Sequence, residues 1–404
     1  MTPLPLVVVS TYPPEHCGVG RDAFAFVQEV RALRPVEVVG NAVAGGTPVE
    51  PEAVFAWTKD DLAYPWQILR AVRRAAPGGK GIVHVFHHFF LYGGPATILE
   101  FPLLLLLLRI CGYRVVVQFQ SVIEPDQLDS VPVEGLPVRP GGAAIWVLRK
   151  FYRWCDRLSE RLVVCTASME RLLGTVYGVA PGRVVVVPVG WQRPTAAAPA
   201  LARDSVAGPT VMFHGFLDPT KGLDDLIDAV ALASATDPDL RLVFAGEVSP
   251  HLAQDAETFL AGLRARLERH GISARARFTG YLDAEALREV LDTADLVVLP
   301  YTMRYSHGGS AVLSRVAGLG RPLVATRISR FDDELEDGVD ALLVPPKDPA
   351  AIASAIHRLR TEPGLASRLG RAVREVAEGR GWDRSARIAQ SQVYGPIEAA
   401  AGTT

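Results

Sequence analysis

The chain has 404 residues, 49% of them hydrophobic, and its 42 basic and 44 acidic side chains leave a formal charge of −2. This length and hydrophobic content suffice for two cores of ordinary size. The near-neutral balance gives no electrostatic support for a nucleic-acid partner. Four widely spaced cysteines (Cys17, Cys111, Cys155 and Cys165) argue against a disulfide framework or a zinc site and favour reduced intracellular thiols.

The N-terminus lacks the basic segment and small-residue cleavage site of a secretory signal peptide. No apolar run reaches the ~18 residues needed to span a bilayer. The sequence therefore predicts a cytoplasmic protein, soluble or held peripherally at the inner face of the membrane.

Short apolar runs alternate with helical patterns through the first half of the chain. Strands are predicted at 6–10, 36–40, 81–86, 113–119, 161–166 and 184–188, and a helix at 21–33. Runs that are apolar on both faces, with helices between them, are typical of a doubly wound parallel sheet.

An Ala- and Pro-rich stretch at 190–209 lacks periodicity and predicts a linker. Beyond it, strands are predicted at 210–214, 241–245, 276–279, 296–300, 322–326 and 341–344, and helices at 222–234, 254–270, 284–294, 310–319 and 349–360. The sequence therefore predicts two Rossmann-like doubly wound α/β domains facing across a cleft. Their predicted bounds are 1–195 and 196–380, with 381–404 a helix that crosses back to the first domain.

The first chemical motif is the segment His214–Gly222, which reads HGFLDPTKG between a predicted strand and an amphipathic helix. A lysine directly before a helix combines a point charge with free backbone N–H groups, so Lys221 predicts a diphosphate site. The alternative is a surface loop with one exposed lysine.

A second loop, Tyr301–Ser310, follows a strand and opens a helix. Loops in this position bind phosphates in open α/β sheets. Gly308 and Gly309 permit close backbone approach, and Ser310 is able to donate to a phosphate or simply to cap the helix.

A third motif, Pro13–Arg21, carries Gly18 and Gly20 after the first strand. These glycines would let the first domain approach a ligand, although a plain tight turn explains them nearly as well. The motif is not G-x-G-x-x-G, so a nicotinamide cofactor is not indicated.

Several motifs occur in a fixed order: P-P-x-x-C-G-V-G, G-F-L-D-P-T-K-G, L-V-F-A-G, F-T-G-Y-L, D-L-V-V-L-P-Y, G-L-G-R-P-L-V-A-T and D-G-V-D-A-L-L-V-P-P. This order resembles glycosyltransferase family 4, and the likeness covers nearly the whole chain. The resemblance implies the GT-B fold and a retaining enzyme that needs no metal or other cofactor. Such an enzyme moves a hexosyl unit, of the mannose or glucose type, from a nucleoside diphosphate sugar to a hydroxyl acceptor.

The resemblance also implies roles for individual residues. Lys221 would hold the donor diphosphate, the backbone at Gly280–Leu282 would receive the nucleobase, and His307–Ser310 would wrap the sugar and phosphates. The implied donor site comprises Gly18, Gly20, Gly215, Phe216, Lys221, Gly246, Glu247, Gly280, Tyr281, Leu282, Tyr301, His307, Gly308, Gly309, Ser310, Ala311 and Arg315. The candidate catalytic residues are Lys221, His307, Gln120 and His87.

Several positions depart from the family pattern. Two glutamates eight residues apart, at the sugar and the ribose, are replaced by His307 and Arg315. A first-domain histidine appears as Gln120, and an arginine of the lysine loop as Phe216. Histidine offers one donor and one acceptor where glutamate accepts twice, and Arg315 accepts nothing.

These departures indicate a divergent branch that lacks the paired glutamates. They also leave open a catalytically degenerate protein that binds nucleotide sugars without turning them over. A sugar-nucleotide epimerase of the same fold is disfavoured, because the sequence lacks a matching set of paired acids and histidines. His87 precedes a Y-G-G segment at a strand end, where it would face the cleft or serve a structural role.

Two segments of the first half bear on the acceptor. Residues 101–108 read FPLLLLLL, and residues 143–161 interleave aromatic and basic side chains as an interfacial helix does. Core burial of the first segment, and inward packing of the aromatic residues of the second, are the ordinary alternatives. Together the segments suggest a glycan or lipid-linked acceptor and peripheral contact with an anionic membrane.

Overall fold

The computed structural model describes residues 3–15, 17–43, 53–89, 91–125, 142–194, 208–249, 252, 254–302 and 306–402. The chain divides into two units. Unit 1 comprises Met1–Gly190, Tyr305–Ala311 and Trp382–Thr404, and unit 2 comprises Trp191–Arg304 and Val312–Gly381. Tyr305–Ala311 therefore groups with the first half of the chain, although the sequence prediction placed it in the second domain.

The strands of the described residues are β1 (Leu6–Val9), β2 (Val36–Asn41), β3 (Ala53–Trp57), β4 (Ile82–His87), β5 (Arg114–Phe119), β6 (Ser121–Ile123), β7 (Arg161–Val164), β8 (Val184–Val186), β9 (Thr210–His214), β10 (Arg241–Ala245), β11 (Ala276–Phe278), β12 (Leu296–Leu299), β13 (Ser306–Gly308), β14 (Leu323–Thr326) and β15 (Leu342–Val344).

The helices are α1 (Gly18–Arg31), α2 (Tyr64–Ala75), α3 (Pro95–Ile110), α4 (Gly142–Leu158), α5 (Ala167–Thr175), α6 (Leu223–Ala233), α7 (Ala256–Arg269), α8 (Ala284–Asp292), α9 (Ala311–Val316), α10 (Ser329–Asp332), α11 (Pro349–Thr361), α12 (Leu365–Gly379), α13 (Trp382–Ile388) and α14 (Gly395–Ala401). A π-helical turn, Ala389–Tyr394, joins the last two. Among the described residues, no helix combines the length and the apolar character needed to cross a bilayer.

Each unit is built on a parallel sheet. The strand order is β3-β2-β1-β4-β5-β7-β8 in unit 1 and β11-β10-β9-β12-β14-β15 in unit 2. Central strands such as β1 are buried along their whole length because helices cover both faces, which explains their β-branched sequences. The predicted α/β class with two Rossmann-like sheets is confirmed.

The order of strands reverses at one point in each sheet, between β1 and β4 in unit 1 and between β9 and β12 in unit 2. Ligands of open α/β sheets bind beyond the carboxyl ends of the strands at such a point. The Lys221 loop follows β9, and Tyr301 follows β12 within two residues. The topology therefore brings these two predicted site elements to the same edge of one sheet.

The C-terminal segment packs on the first half of the chain within unit 1. Arg34 lies 2.8 Å from the Glu398 carboxylate, which also accepts a 2.9 Å hydrogen bond from the Leu4 amide. Tyr394 Oη lies 2.6 Å from Nδ1 of His84, in the centre of the sheet. These polar contacts fix the end of the chain against β4 and against the residues that precede β1 and β2.

Two buried histidines of β4 make the stability of unit 1 sensitive to acid. Burial lowers the pKa of His84 and that of His87 from 6.5 to about 3. Below pH 6.5 the unfolded chain therefore binds protons that the folded state rejects, so stability falls as the pH drops. We expect each histidine to cost about 2 kcal/mol of unfolding free energy between pH 7 and pH 5.

Urea titrations at the two pH values measure this effect. The variant His87→Phe is expected to remove about 2 kcal/mol of the pH-dependent loss. The control His357→Gln, at an exposed position of unit 2, should leave the loss unchanged. An identical pH dependence in wild type and His87→Phe would contradict this assignment.

Candidate functional site

Lys221 sits in a short, tightly ordered turn at the end of β9. Asp218 begins the turn by accepting a 2.8 Å hydrogen bond from the Thr220 amide, and its carboxylate lies 3.8 Å from Nζ of Lys221. The ammonium group also stands 4.2 Å from the centre of the Tyr301 ring. With 19% of its side chain exposed, Lys221 is held between a carboxylate and an aromatic face.

Close backbone approach explains the glycine that follows. Gly222 has φ 65°, and a Cβ at this position would lie 2.0 Å from the Pro300 carbonyl oxygen. The Thr302 amide also donates to the Thr220 carbonyl at 2.9 Å. The lysine turn is thus fastened to the end of β12, and α6 begins directly after it.

The ends of β9 and β10 come together in the same way. Gly246 has φ 155°, and a Cβ there would lie 2.1 Å from the carbonyl oxygen of Gly215. The Leu217 amide donates to the Glu247 carbonyl at 2.8 Å. Gly215, Gly246 and Glu247 therefore line one continuous backbone edge beside the partly buried Phe216.

Two cations act on this edge of unit 2. Burial lowers the pKa of Lys221, Asp218 opposes that shift, and the charge of Arg330 adds to it. Burial also raises the pKa of Tyr301, and the positive charge of Arg330 opposes that rise. Because both Lys221 and Arg330 carry positive charge here, an anion bound at this place would be attracted by both.

The predicted nucleobase segment has a different character. Gly280 has φ 69° with open space where a Cβ would stand, and Tyr281 is 47% exposed. Leu282 is half-buried, as is Arg315 on α9. These residues lie in unit 2, and their contact with a nucleotide stays a prediction.

His307 lies in unit 1 and is bonded on both sides of its ring. It sits in β13, which pairs antiparallel with β6, opposite Val122. Nδ1 lies 2.9 Å from Ser168 Oγ, and Nε2 lies 3.0 Å from Glu124 Oε2. The structure thus puts a carboxylate beside the position where the family pattern has one.

The glycines after His307 are required for packing. A Cβ at Gly308 would lie 2.6 Å from the Gln120 carbonyl oxygen, and one at Gly309 would lie 2.5 Å from Val189. Ser310 is buried and directly precedes α9, which begins at Ala311. These contacts explain the glycines without a ligand, so a phosphate role stays a prediction.

Three other predicted site residues of unit 1 are Gly18, Gly20 and Gln120. Gly18 begins α1, and a Cβ there would stand 3.9 Å from Ala311. Gly20 has a packing reason, since a Cβ would come within 3.2 Å of the Thr11 backbone. Gln120 is 8% exposed, and its side-chain oxygen lies 3.6 Å from the Cys165 thiol.

The prediction that His87 faces the cleft is corrected by the structure. Its side chain is 1% exposed. Ring centroids 4.3 to 5.5 Å away surround the imidazole, and they belong to Phe89, Phe101, Phe119 and Phe151. This aromatic enclosure makes His87 a core residue of unit 1, so it is withdrawn as a catalytic candidate.

In each unit, some residues that contact the predicted ones were not predicted from the sequence. Asp218 had a local signal, because an aspartate before proline commonly caps a turn. Glu124, Ser168 and Arg330 had none, since their partners lie far away along the chain. Among the described residues, no group of three or more metal-binding side chains was found.

Comparison with known families decides the wider identity. A family model described as "Glycosyl transferase 4-like domain" matches residues 7–190, and one described as "Glycosyl transferases group 1" matches residues 208–362. The chain belongs to the family-4-like glycosyltransferases. This family membership confirms the resemblance seen in the order of the motifs.

Individual relatives of this family-4-like glycosyltransferase are distant. It is 28% identical to D-inositol 3-phosphate glycosyltransferase of Acidothermus cellulolyticus over 366 residues, 87% of this chain and 75% of that protein. It is 30% identical to glycogen synthase of Mycobacterium tuberculosis over 243 residues, 60% of this chain and 55% of that protein. The match thus spans about half the length of the glycogen synthase.

Solved structures share the fold over nearly the full chain. Sucrose-phosphate synthase of Thermosynechococcus elongatus superposes with a TM-score of 0.73 at 19% identity, covering 98% of this chain and 99% of that one. HepE of Anabaena, in complex with UDP-glucose, gives 0.72 at 14% identity, with coverage of 96% and 99%. The predicted GT-B fold is confirmed.

Proposed function

We propose that this protein transfers a hexosyl unit, of the glucose or mannose type, from a nucleoside diphosphate sugar to a hydroxyl acceptor. The observation that carries the proposal is the Lys221 turn. It places a partly buried ammonium group at the start of α6, at the point where the strand order of unit 2 reverses. Helix N-termini at such points bind phosphates.

The charge distribution of unit 2 supports a diphosphate at this place. Lys221 and Arg330 supply two positive charges near the point where the strand order of unit 2 reverses. A departing nucleoside diphosphate gains negative charge during transfer. Cations fixed near it would stabilise the transition state more than the ground state.

The finer features of the proposal rest on the family and on its relatives. HepE of Anabaena has been solved with UDP-glucose, and several relatives are named D-inositol 3-phosphate glycosyltransferase. We extend to this chain a nucleotide-sugar donor, a glycan or lipid-linked hydroxyl acceptor, and transfer with retention of anomeric configuration. Because Lys221 and Arg330 supply the positive charge, the proposal includes no metal, and EDTA should leave turnover unchanged.

A ligand panel tests the proposal. UDP, GDP, ADP and their glucose and mannose conjugates are added during thermal unfolding, and the release of free nucleotide is followed without an acceptor. One nucleotide family should stabilise the protein, by about 2.7 kcal/mol at 100 times its Kd. Slow donor hydrolysis should accompany binding. Binding without hydrolysis or transfer would favour the degenerate binding protein, and no binding at all would refute both.

The acceptor side suggests contact with a membrane, since two neighbouring helices of unit 1, α3 and α4, carry exposed apolar side chains among basic ones. On α4, Phe151 points into the core whereas Trp146 and Trp154 are 61% and 48% exposed, so the aromatic residues do not all pack inward. On α3, Leu99 and Ile110 are 69% and 73% exposed. Aromatic and basic side chains presented together are typical of surfaces that lie on anionic lipid.

Vesicle co-sedimentation tests this part of the proposal. The protein should bind vesicles that contain phosphatidylglycerol at low salt, and the double variant Trp146→Gln/Trp154→Gln should bind at least fivefold less. The control Leu232→Gln removes a side chain that is 55% exposed on unit 2 and should change nothing. If wild type fails to bind at low salt, the peripheral location is wrong while the transferase proposal stands.

A further inference from the structure

His307 has no ring nitrogen left for a ligand. Its Nδ1 lies 2.9 Å from Ser168 Oγ and its Nε2 lies 3.0 Å from Glu124 Oε2, and only 14% of the side chain is exposed. A neutral imidazole has one N–H and one lone pair. Because a carboxylate only accepts, Nε2–H donates to Glu124, and Nδ1 accepts from the Ser168 hydroxyl.

The ring is anchored at a helix start. Ser168 Oγ lies 3.1 Å from Thr166 Oγ1, and Thr166 caps α5 by accepting from the Met169 amide at 3.4 Å. Ser168 is 7% exposed, so it cannot act as an accessible nucleophile despite its place beside a histidine and a glutamate. The network therefore serves to hold His307, which in turn holds Glu124.

Glu124 is the open end of this network. It directly follows β6, and 30% of its side chain is exposed. Within the described residues, His307 is its single hydrogen-bond partner, and that bond uses Oε2. No donor to the other oxygen, Oε1, is present in the part of the chain that the structure describes, so this atom is able to accept hydrogen bonds there. A partly exposed carboxylate fixed in this way is preorganised, so it loses little conformational entropy when a ligand binds.

We propose that Glu124 is a sugar-binding residue of unit 1, where its carboxylate accepts hydrogen bonds from sugar hydroxyls, and that His307 is its positioning residue. This inference rests on the proposed function, since it presumes a sugar substrate. Hydroxyl groups are the natural donors to a carboxylate, whereas a phosphate in this place would be repelled. The hydroxyls would belong either to the transferred sugar or to the acceptor, and the chemistry is the same for both.

Binding and turnover of Glu124→Gln distinguish the two sources. In the donor arm, calorimetry compares a nucleoside diphosphate with its sugar conjugate, taking UDP with UDP-glucose and GDP with GDP-mannose. If Glu124 holds the transferred sugar, the variant binds the conjugate at least tenfold more weakly and the free diphosphate equally well. In the acceptor arm, D-glucose, D-mannose and myo-inositol are the acceptors. If Glu124 holds the acceptor, the KM of the variant for the acceptor rises at least tenfold while its rate of donor hydrolysis is unchanged.

Further variants separate binding from folding. Glu124→Asp keeps the charge and should recover part of the loss. His307→Phe removes the bond to Glu124 and should reproduce the selective loss. The double variant Glu124→Gln/His307→Phe should lose no more binding or turnover than Glu124→Gln alone, as expected for a residue that acts through another. The control Glu37→Gln alters an exposed strand glutamate and should be silent.

Each outcome decides. If wild type binds and turns over a nucleotide sugar while Glu124→Gln changes neither arm, the inference is wrong and the proposed function stands. If Glu124→Gln binds the free diphosphate and the sugar conjugate more weakly by the same factor, Glu124 has a structural role only, and the inference is wrong. If wild type binds no nucleotide sugar, the proposed function fails and the inference fails with it.

Discussion

Replacing Lys221 with methionine is expected to lower kcat/KM for donor hydrolysis or transfer by about 10²- to 10³-fold. The change keeps most of the aliphatic stem but removes the ammonium group, which lies 4.2 Å from the Tyr301 ring and 3.8 Å from Asp218. Because the diphosphate gains charge as it departs, kcat should fall as well as affinity. Steady-state kinetics and calorimetry with the free nucleoside diphosphate measure the two effects.

Two further variants make the test specific. Lys221→Arg keeps a positive charge in a different shape and should retain part of the activity. Lys80→Met removes an exposed lysine from unit 1 and should be silent, which controls for net charge. Unchanged kinetics in Lys221→Met would show that the diphosphate binds elsewhere.

Replacing Gly222 with alanine is expected to reduce the unfolding free energy of unit 2 by about 3 kcal/mol. Two costs combine in this estimate. The residue has φ 65°, a conformation that alanine disfavours, and its Cβ would lie 2.0 Å from the Pro300 carbonyl oxygen. Since the obstacle is backbone, the lysine turn must move, and donor affinity should fall with stability.

Gly271 provides the matched control. It has φ 66°, nearly the same conformation, with open space around the position of a Cβ. Gly271→Ala should therefore reduce the unfolding free energy only by the cost of the backbone conformation, about 1 kcal/mol. Urea denaturation of both variants isolates the contribution of the close contact. If Gly222→Ala and Gly271→Ala lose the same unfolding free energy, the lysine turn accommodates the added Cβ without strain, which would contradict this prediction.

The parts of the structure that depend on local sequence were predictable. Buried apolar runs predicted every strand of the two parallel sheets except β3, and the run from Asp218 to Gly222 indicated a turn before a helix. β3 was missed because it lies at the edge of its sheet with partly exposed residues that show no clear period. β6 and β13 pair only with each other outside the two parallel sheets, and their sequences, SVI and SHG, are not continuous apolar runs.

The parts of the site that depend on distant contacts were not predictable. Glu124 and His307 are 183 residues apart in the chain and meet only because β6 pairs with β13. Arg330 reaches the surroundings of Lys221 from α10. His87 was misjudged for a related reason, since its aromatic enclosure is assembled from α3, α4 and β5 as well as from its own loop.

The central claim is that a nucleoside diphosphate sugar binds at the Lys221 turn and is consumed there. Time-resolved ³¹P and ¹H NMR of UDP-glucose, GDP-mannose and ADP-glucose, with wild type and Lys221→Met side by side, tests it most directly. We predict that wild type converts one of these donors to free nucleoside diphosphate and that Lys221→Met does so at least a hundredfold more slowly. Consumption at the same rate by both proteins, or binding by wild type without consumption of any donor under any acceptor condition, would contradict the claim.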